Sequence, residues 1–399
     1  MTGKKIRTVL FSTLYPSAAR PTHGVFVETR LRHLLATHQI ETKVVAPVPW
    51  VPPTHTKRRL DWAQMAATAS REIHNGIDLR HPRYALPPKV GENVAPFALA
   101  ACAWPTFRAL RREGFEFDLI DAHYYYPDGV AAALLARVLK KPLIITARGI
   151  DLNLISEHAF PRQLILRAAH EAKASIGVCQ ALMTRLAEVG ADPQKLHVLR
   201  NGVDLDLFSP EDPAAARTHL GLEAQGRLIV SVGLLIERKG HHVAIEALPL
   251  LPADVRLAII GEGPEHARLT QLAAKLGVQD RVHFAGSKPQ AELRWWYSAA
   301  DALVLCSSRE GWANVLLESM ACGTPVVATS IWGTPEVVQN TTVGRLMPER
   351  APKDLSEGLS DLWATPTDRK KIRAYAEGFS WEATTQGQLD LFAQVLAGR

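Results

Sequence analysis

Short runs of Val, Ile and Leu alternate with longer amphipathic stretches along the chain. In the first half the runs Thr8–Ser12, Val44–Pro47, Leu119–Ala122, Leu143–Thr146, Ser175–Val178 and His197–Leu199 read as strands. Helical spacing of apolar residues between them predicts helices over Val25–Ala36, Gly129–Leu139, Pro161–Ala172 and Ala181–Val189. Runs without polar alternation suit strands covered on both faces, and alternation with helices implies a parallel sheet. The pattern then restarts. Leu228–Val232, Arg256–Ile260, Val282–Phe284, Ala302–Leu305 and Val326–Ala328 read as strands, with helices His241–Leu248, Glu265–Leu276 and Asn314–Cys322 between them. Phe208–Pro213, with two prolines and acidic turn formers, is the expected linker, and Trp381–Leu396 reads as a helix after the second sheet. Residues 48–105, with prolines at 49, 52, 53, 82, 87, 88, 96 and 105, are the least legible.

A length of 399 residues fits two domains, as the restart suggests. The net charge of +6 suits an anionic partner without naming it. The cations are scattered, densest at Lys57-Arg58-Arg59, Arg108 to Arg112 and Arg369 to Arg373, so each cluster reads first as a solvated face and nucleic acid is not an expected partner. Cys102, Cys179, Cys306 and Cys322 lie far apart in apolar or small-residue stretches, which fits reduced thiols and a cytoplasmic location. No run reaches the roughly 18–20 apolar residues of a membrane span. Val9-Leu10-Phe11, behind Lys4, Lys5 and Arg7, is too short for a signal peptide and reads as the first buried strand.

The segment Ala302–Thr329 carries the most chemistry. A strand ends near Cys306, a polar turn follows, and a helix opens at Asn314, a favoured N-cap type, closing at Gly323. Unpaired amides and the positive end of the helix dipole converge on such a turn and make it an anion site. Glu310 in the turn and Glu318 one turn inside the helix are poor phosphate partners. They are good acceptors for sugar hydroxyls on either side of a diphosphate.

Glu310, seven residues, Glu318 and the following Met320–Val327 resemble the Glu-x7-Glu signature of family 4 retaining glycosyltransferases of the GT-B fold. The likeness continues through Val232-Gly233 with Arg238-Lys239-Gly240, through Gly261-Glu262-Gly263-Pro264, through Val282–Gly286, and through Asn201-Gly202-Val203-Asp204 with Phe208. The resemblance implies an α/β architecture of two Rossmann-like doubly wound domains facing across a cleft. Residues 1–207 would form the N-terminal acceptor-binding domain and 208–379 the C-terminal nucleotide-sugar donor-binding domain, with a helix over 380–399 packing back on the first. It implies that Glu318 accepts from the ribose hydroxyls and that Glu310 holds a hydroxyl of the transferred sugar. Lys239 and Arg238 would neutralise the leaving diphosphate. The catalytic set is thus Glu310, Lys239 and Arg238. Gly24, Gly233, Gly261, Gly263, Ala285, Gly286, Gly311, Trp312, Ala313, Asn314 and Val315 complete the donor site. Many relatives carry Arg after the glycine matching Gly233, where this chain has Leu234, and His where it has Arg148. His123, Arg148 and Asp151 stand as acceptor or cleft residues without an assigned role.

The reaction so implied moves a sugar from a nucleoside diphosphate sugar to a hydroxyl, with retention, no metal and no cofactor. The expected acceptor is a lipid-linked intermediate of surface polysaccharide synthesis, with peripheral contact to an anionic membrane at its inner face through Lys57-Arg58-Arg59 and Trp62, and through Trp104 and Arg108 to Arg112. The alternatives are a small soluble acceptor, as in a sugar-phosphate synthase, or a non-catalytic nucleotide-sugar-binding protein. Asp204-Leu205-Asp206 matches a bare metal motif but sits beside the linker, and His241-His242 are read as cleft-edge or surface histidines without zinc spacing. No Gly-x-Gly-x-x-Gly follows the first strand, which argues against a dinucleotide oxidoreductase.

Overall fold

The computed structural model describes residues 5–52, 60–87 and 91–398. It divides into two units, Met1–Arg200 with Glu382–Arg399, and Asn201–Trp381. Lys57-Arg58-Arg59 lie outside the described residues.

In unit 1 the strands are β1 (Ile6–Phe11), β2 (Ile40–Val45), β3 (Val48–Pro49), β4 (Arg71–His74), β5 (Ile77–Arg80), β6 (Arg83–Tyr84), β7 (Leu119–His123), β8 (Leu143–Ala147), β9 (Ala174–Gly177) and β10 (Leu196–Val198). Eight of them form one sheet in the order β10-β9-β8-β7-β1-β2-β5-β4, with β3 and β6 pairing apart. The pairings are parallel except for the antiparallel edge strand β4 on β5. Chain order reverses between β1 and β7, so the carboxyl ends of these two strands flank the switch point at which such sheets bind ligands. One core runs from Leu10 and Val27 through Val44, Leu79 and Ile144 to Leu389 and Phe392 of the C-terminal helix Trp381–Ala397.

The illegible region 48–105 holds two sheet strands, the small β3–β6 pair and most of a helix, Gly91–Arg112, with Pro96 and Pro105 inside it. Prolines at those positions disguise a helix whose Ala95, Leu99, Ala103, Phe107 and Leu110 are at most 4% exposed. That buried face outweighs the backbone hydrogen bonds the prolines remove.

In unit 2 the strands β11 (Arg227–Val232), β12 (Val255–Ile260), β13 (Val282–Gly286), β14 (Ala302–Leu305), β15 (Val326–Thr329) and β16 (Gly344–Met347) form a second parallel sheet. Its order, β13-β12-β11-β14-β15-β16, places the switch point between β11 and β14. β16 and the helices Pro213–His219, Gln290–Ala299, Pro352–Trp363 and Arg369–Glu377 complete it without having been read from the sequence. Phe208 is buried against Tyr297, ring centroids 6.0 Å apart, and Asp212 caps Pro213–His219 through the Ala215 amide at 2.8 Å. The Phe208–Pro213 stretch therefore packs into unit 2, downstream of the division at Arg200.

Candidate functional site

The loops after β11 and β14 meet at the second switch point. Lys239 Nζ donates to Glu310 Oε1 at 2.6 Å, and Ser307 Oγ donates to the same oxygen at 2.7 Å. Arg238 Nη1 bonds the Arg309 carbonyl at 2.8 Å and stands 3.8 Å from Glu310 Oε1. The Ser308 amide bonds the Arg238 carbonyl at 2.9 Å. Gly240 closes the β11 loop at φ +74, and a Cβ there would lie 1.9 Å from the Cys306 carbonyl oxygen. Arg350, which no motif pointed to, ties both loops: its Nε donates to the Cys306 carbonyl at 2.7 Å and its Nη1 to Glu237 Oε1 at 2.7 Å. Two cations and one carboxylate, from segments 71 residues apart, so share one spot.

The glycines lie on this frame. Gly233 follows β11, its amide on the Ile260 carbonyl, and Gly261 follows β12, its amide on the Gly286 carbonyl. At Gly261 (φ +150) a Cβ would meet the Gly233 carbonyl oxygen at 1.9 Å, so the two loops touch through backbone alone. Gly263 lies against the Leu235 backbone, and Ala285 and Gly286 end β13.

Glu318 sits in the helix Asn314–Ala321, 8% exposed, and accepts from the Tyr297 hydroxyl at 2.8 Å. Burial pushes its pKa up to about 7, with the Tyr297 hydrogen bond opposing the shift. Tyr297 was not read from the sequence, although Leu293, Trp296 and Tyr297 give its helix a buried face. The expected Asn314 cap is corrected. Ala313 occupies the cap position without a side-chain cap bond, and Asn314 Oδ1 instead accepts from Asn201 Nδ2 at 3.2 Å. Gly323 does end the helix left-handed, its amide on Met320 and the Thr324 amide on Ser319, at 2.9 and 3.0 Å. Gly311, Trp312 and Ala313 are buried, Trp312 beside Phe379, and Asn314 and Val315 are half-buried.

Further expectations change. Arg369 and Arg373 are not a solvated cluster: Arg369 bonds the Ser298 carbonyl and Thr324 Oγ1, and Arg373 bonds the Phe208 and Ala321 carbonyls, fastening the Glu318 helix. His241 is neither surface nor cleft-edge. It is 2% exposed, between Ser231 Oγ and the Leu234 carbonyl, and burial lowers its pKa to about 4. Asp204 Oδ1 accepts the Asp206 and Leu207 amides at 3.1 and 2.9 Å, a turn rather than a ligand pair. Among the described residues no group of three His, Cys, Asp or Glu gathers at metal-binding distance.

In unit 1, Gly24 caps the Val25–Ala36 helix at φ +76 against the Leu14 backbone. His123 ends β7, 1% exposed. Arg148 Nη2 donates to His123 Nδ1 at 2.5 Å, so the ring proton is on Nε2, which donates to Asp121 Oδ2 at 3.3 Å. Burial lowers the His123 pKa to about 4 and keeps the ring neutral. Gln388 continues the chain, giving to Asp121 Oδ2 at 2.9 Å and receiving from Arg30 Nε at 2.5 Å. Asp151 is wholly buried, and its carboxylate takes the amides of Tyr125 and Gly149 at 2.7 Å and of Arg148 at 3.1 Å. Burial raises its pKa.

A family model described as Glycosyltransferase Family 4 matches residues 29–207, and one described as Glycosyl transferases group 1 matches residues 214–379. A D-inositol 3-phosphate glycosyltransferase of Frankia alni is 32% identical over 358 residues, 82% of this chain and 87% of that protein. Another from Xylanimonas cellulosilytica is 30% identical, over 82% and 84%. Sucrose-phosphate synthase of Thermosynechococcus elongatus shares the fold at TM-score 0.79 and 20% identity, covering 99% of this chain and all of that one. The Anabaena protein HepE in complex with UDP does so at 0.72 and 22%, covering 98% and 100%. The chain belongs to family 4 of the retaining glycosyltransferases and is built of two Rossmann-like GT-B domains.

Proposed function

We propose that the chain transfers a sugar from a nucleoside diphosphate sugar to a hydroxyl of a lipid-linked glycan at the inner face of the cell membrane. The observation that carries the donor half is the convergence of Lys239, Arg238 and Glu310 at the switch point of the second sheet. In this reading the diphosphate takes Lys239 from Glu310, which turns to a hydroxyl of the sugar, and Glu318 accepts from the ribose. The C1–O bond to the diphosphate breaks as the acceptor oxygen closes on C1 from the same face, and the acceptor proton passes to the departing phosphate oxygen. Lys239 and Arg238 stabilise the charge growing on that phosphate, with neither metal nor cofactor assigned a role. Asp151, with its carboxylate held by three amides, is unsuited to attack C1 as a nucleophile.

A second acceptor reading rests on the relatives: proteins 30–32% identical over 82% of the chain are named for D-inositol 3-phosphate, which favours a small phosphorylated polyol. Radiolabelled donors, offered with lipid extract and with a panel of phosphorylated polyols and read by mass spectrometry, separate the two. Lys239→Ala should lower kcat about 100-fold with little change in donor KM, because its contact tightens as the phosphate departs. Unchanged kcat, or label transferred to neither acceptor class, would remove the proposal.

A further inference from the structure

The outward face of the Gly91–Arg112 helix keeps the same period as its buried face. At about 100° per residue, Val94, Phe97, Ala101, Pro105, Arg108 and Arg112 fall within about 80° of one another. All six are exposed, Val94 at 37% and Phe97 at 46%. A solvent-facing stripe ordinarily carries charge, yet no charged residue occurs from Asn93 to Phe107. The stripe is apolar for about three turns and then basic.

Another exposed apolar side chain lies at the helix's amino end. A Cβ on Gly91 would touch the Leu86 side chain at 3.0 Å, and Leu86 is 46% exposed. Just past the β3–β6 pair, the Trp50 amide bonds the Tyr84 carbonyl at 2.8 Å, and its indole is 57% exposed. Scattered single apolar residues need no explanation, but a stripe kept to one face of a helix over three turns does. At the other end Arg111 pairs with Glu116 at 3.2 Å, whereas Arg108 and Arg112 have no ion-pair partner among the described residues. The residues expected at a membrane differ in exposure from the apolar ones nearby. Trp104 is half-buried, and Val94 and Phe97 stand out instead.

We propose that this face docks on an anionic bilayer, with the helix lying in the interfacial plane. Val94, Phe97 and Trp50 would enter among the acyl chains, and Arg108 and Arg112 would sit at lipid phosphates. A graded apolar-to-cationic stripe matches the bilayer's own change from hydrocarbon to anionic headgroup. An exposed indole on the same unit suits the interface, apolar on one side and wet on the other. The inference rests on the lipid-linked acceptor reading, since it supplies the surface where such an acceptor is found.

The test is co-sedimentation of the full chain with vesicles of phosphatidylcholine alone and with about one-third phosphatidylglycerol. The wild type is expected on the anionic vesicles only. Arg108→Gln with Arg112→Gln should lower partitioning about 25-fold, roughly fivefold per guanidinium. Val94→Ser with Phe97→Ser should abolish it while the variant keeps a cooperative thermal transition and wild-type circular dichroism at the assay temperature. Leu250→Ser, at an exposed position in unit 2, should bind as the wild type does. Absent wild-type binding, equal binding to both vesicles, or variants that bind unchanged would overturn the proposal. So would a stripe variant whose only effect is a changed oligomeric mass by light scattering. Transfer to lipid-linked acceptor in detergent micelles is measured alongside. If it persists while vesicle binding fails, the surface falls and the acceptor reading stands. If only polyol phosphates are glycosylated while the stripe still binds vesicles, the acceptor reading falls and the surface stands.

Discussion

Under the proposed donor role, Glu318 is a residue at which function would work against stability. The folded protein holds its proton up to about pH 7, whereas a free glutamate releases it near 4.5, because burial penalises the charged form. The folded state binds more protons than the unfolded state between those values, so this group makes the protein less stable as pH rises from about 4.5 to about 7. Glu318→Gln removes that cost while keeping an acceptor for Tyr297. Its stability relative to wild type should match at pH 4 and exceed it by about 3 kcal/mol at pH 8, read from denaturation midpoints. Donor affinity should drop about 10-fold or more in the same variant. A stability gap that does not change with pH would show that the carboxyl is not desolvated.

At the scale of elements, the site depends on loops that approach through backbone. Gly240 is the narrowest point, left-handed and against the Cys306 carbonyl. A side chain there strains its own backbone by about 1–2 kcal/mol and overpacks its neighbour by about 1–3 kcal/mol. Gly240→Ala is therefore expected to lower unfolding free energy by about 3 kcal/mol in urea titration, and to separate Lys239 from Glu310. A variant with wild-type stability would mean the two loops have room to part. The glycine–lysine motif was legible because the loop chemistry is local. Arg350, the cross-tie between the same loops, carries no local signal, since nothing within its neighbourhood in the chain distinguishes it from a surface arginine.

At the scale of the whole molecule, the last helix completes the core of unit 1. Gln388 lies between Arg30 and Asp121, 267 residues from the latter, in a buried chain that runs on to His123 and Arg148. Gln388→Leu strips a buried guanidinium and a buried carboxylate of one partner each, and should cost about 3 kcal/mol in urea titration. A loss below about 0.5 kcal/mol would mean the chain rearranges around the gap. The strand–helix alternation, the restart that makes two domains and the Glu310–Glu318 spacing were all readable from the residues alone, because each depends on side-chain period or on loop chemistry within a few turns. Trp381–Ala397 was legible as a helix for the same reason. What tertiary structure decided was which polar groups meet. Lys239 finds Glu310, Tyr297 finds Glu318 and Gln388 finds Asp121, through pairings that depend on strand order rather than on neighbours in the chain. It also decided burial. That is why the proline-bearing helix Gly91–Arg112 forms where the sequence is least legible, and why His241, read as a cleft-edge or surface group, and Arg373, read as a solvated one, are interior fastenings.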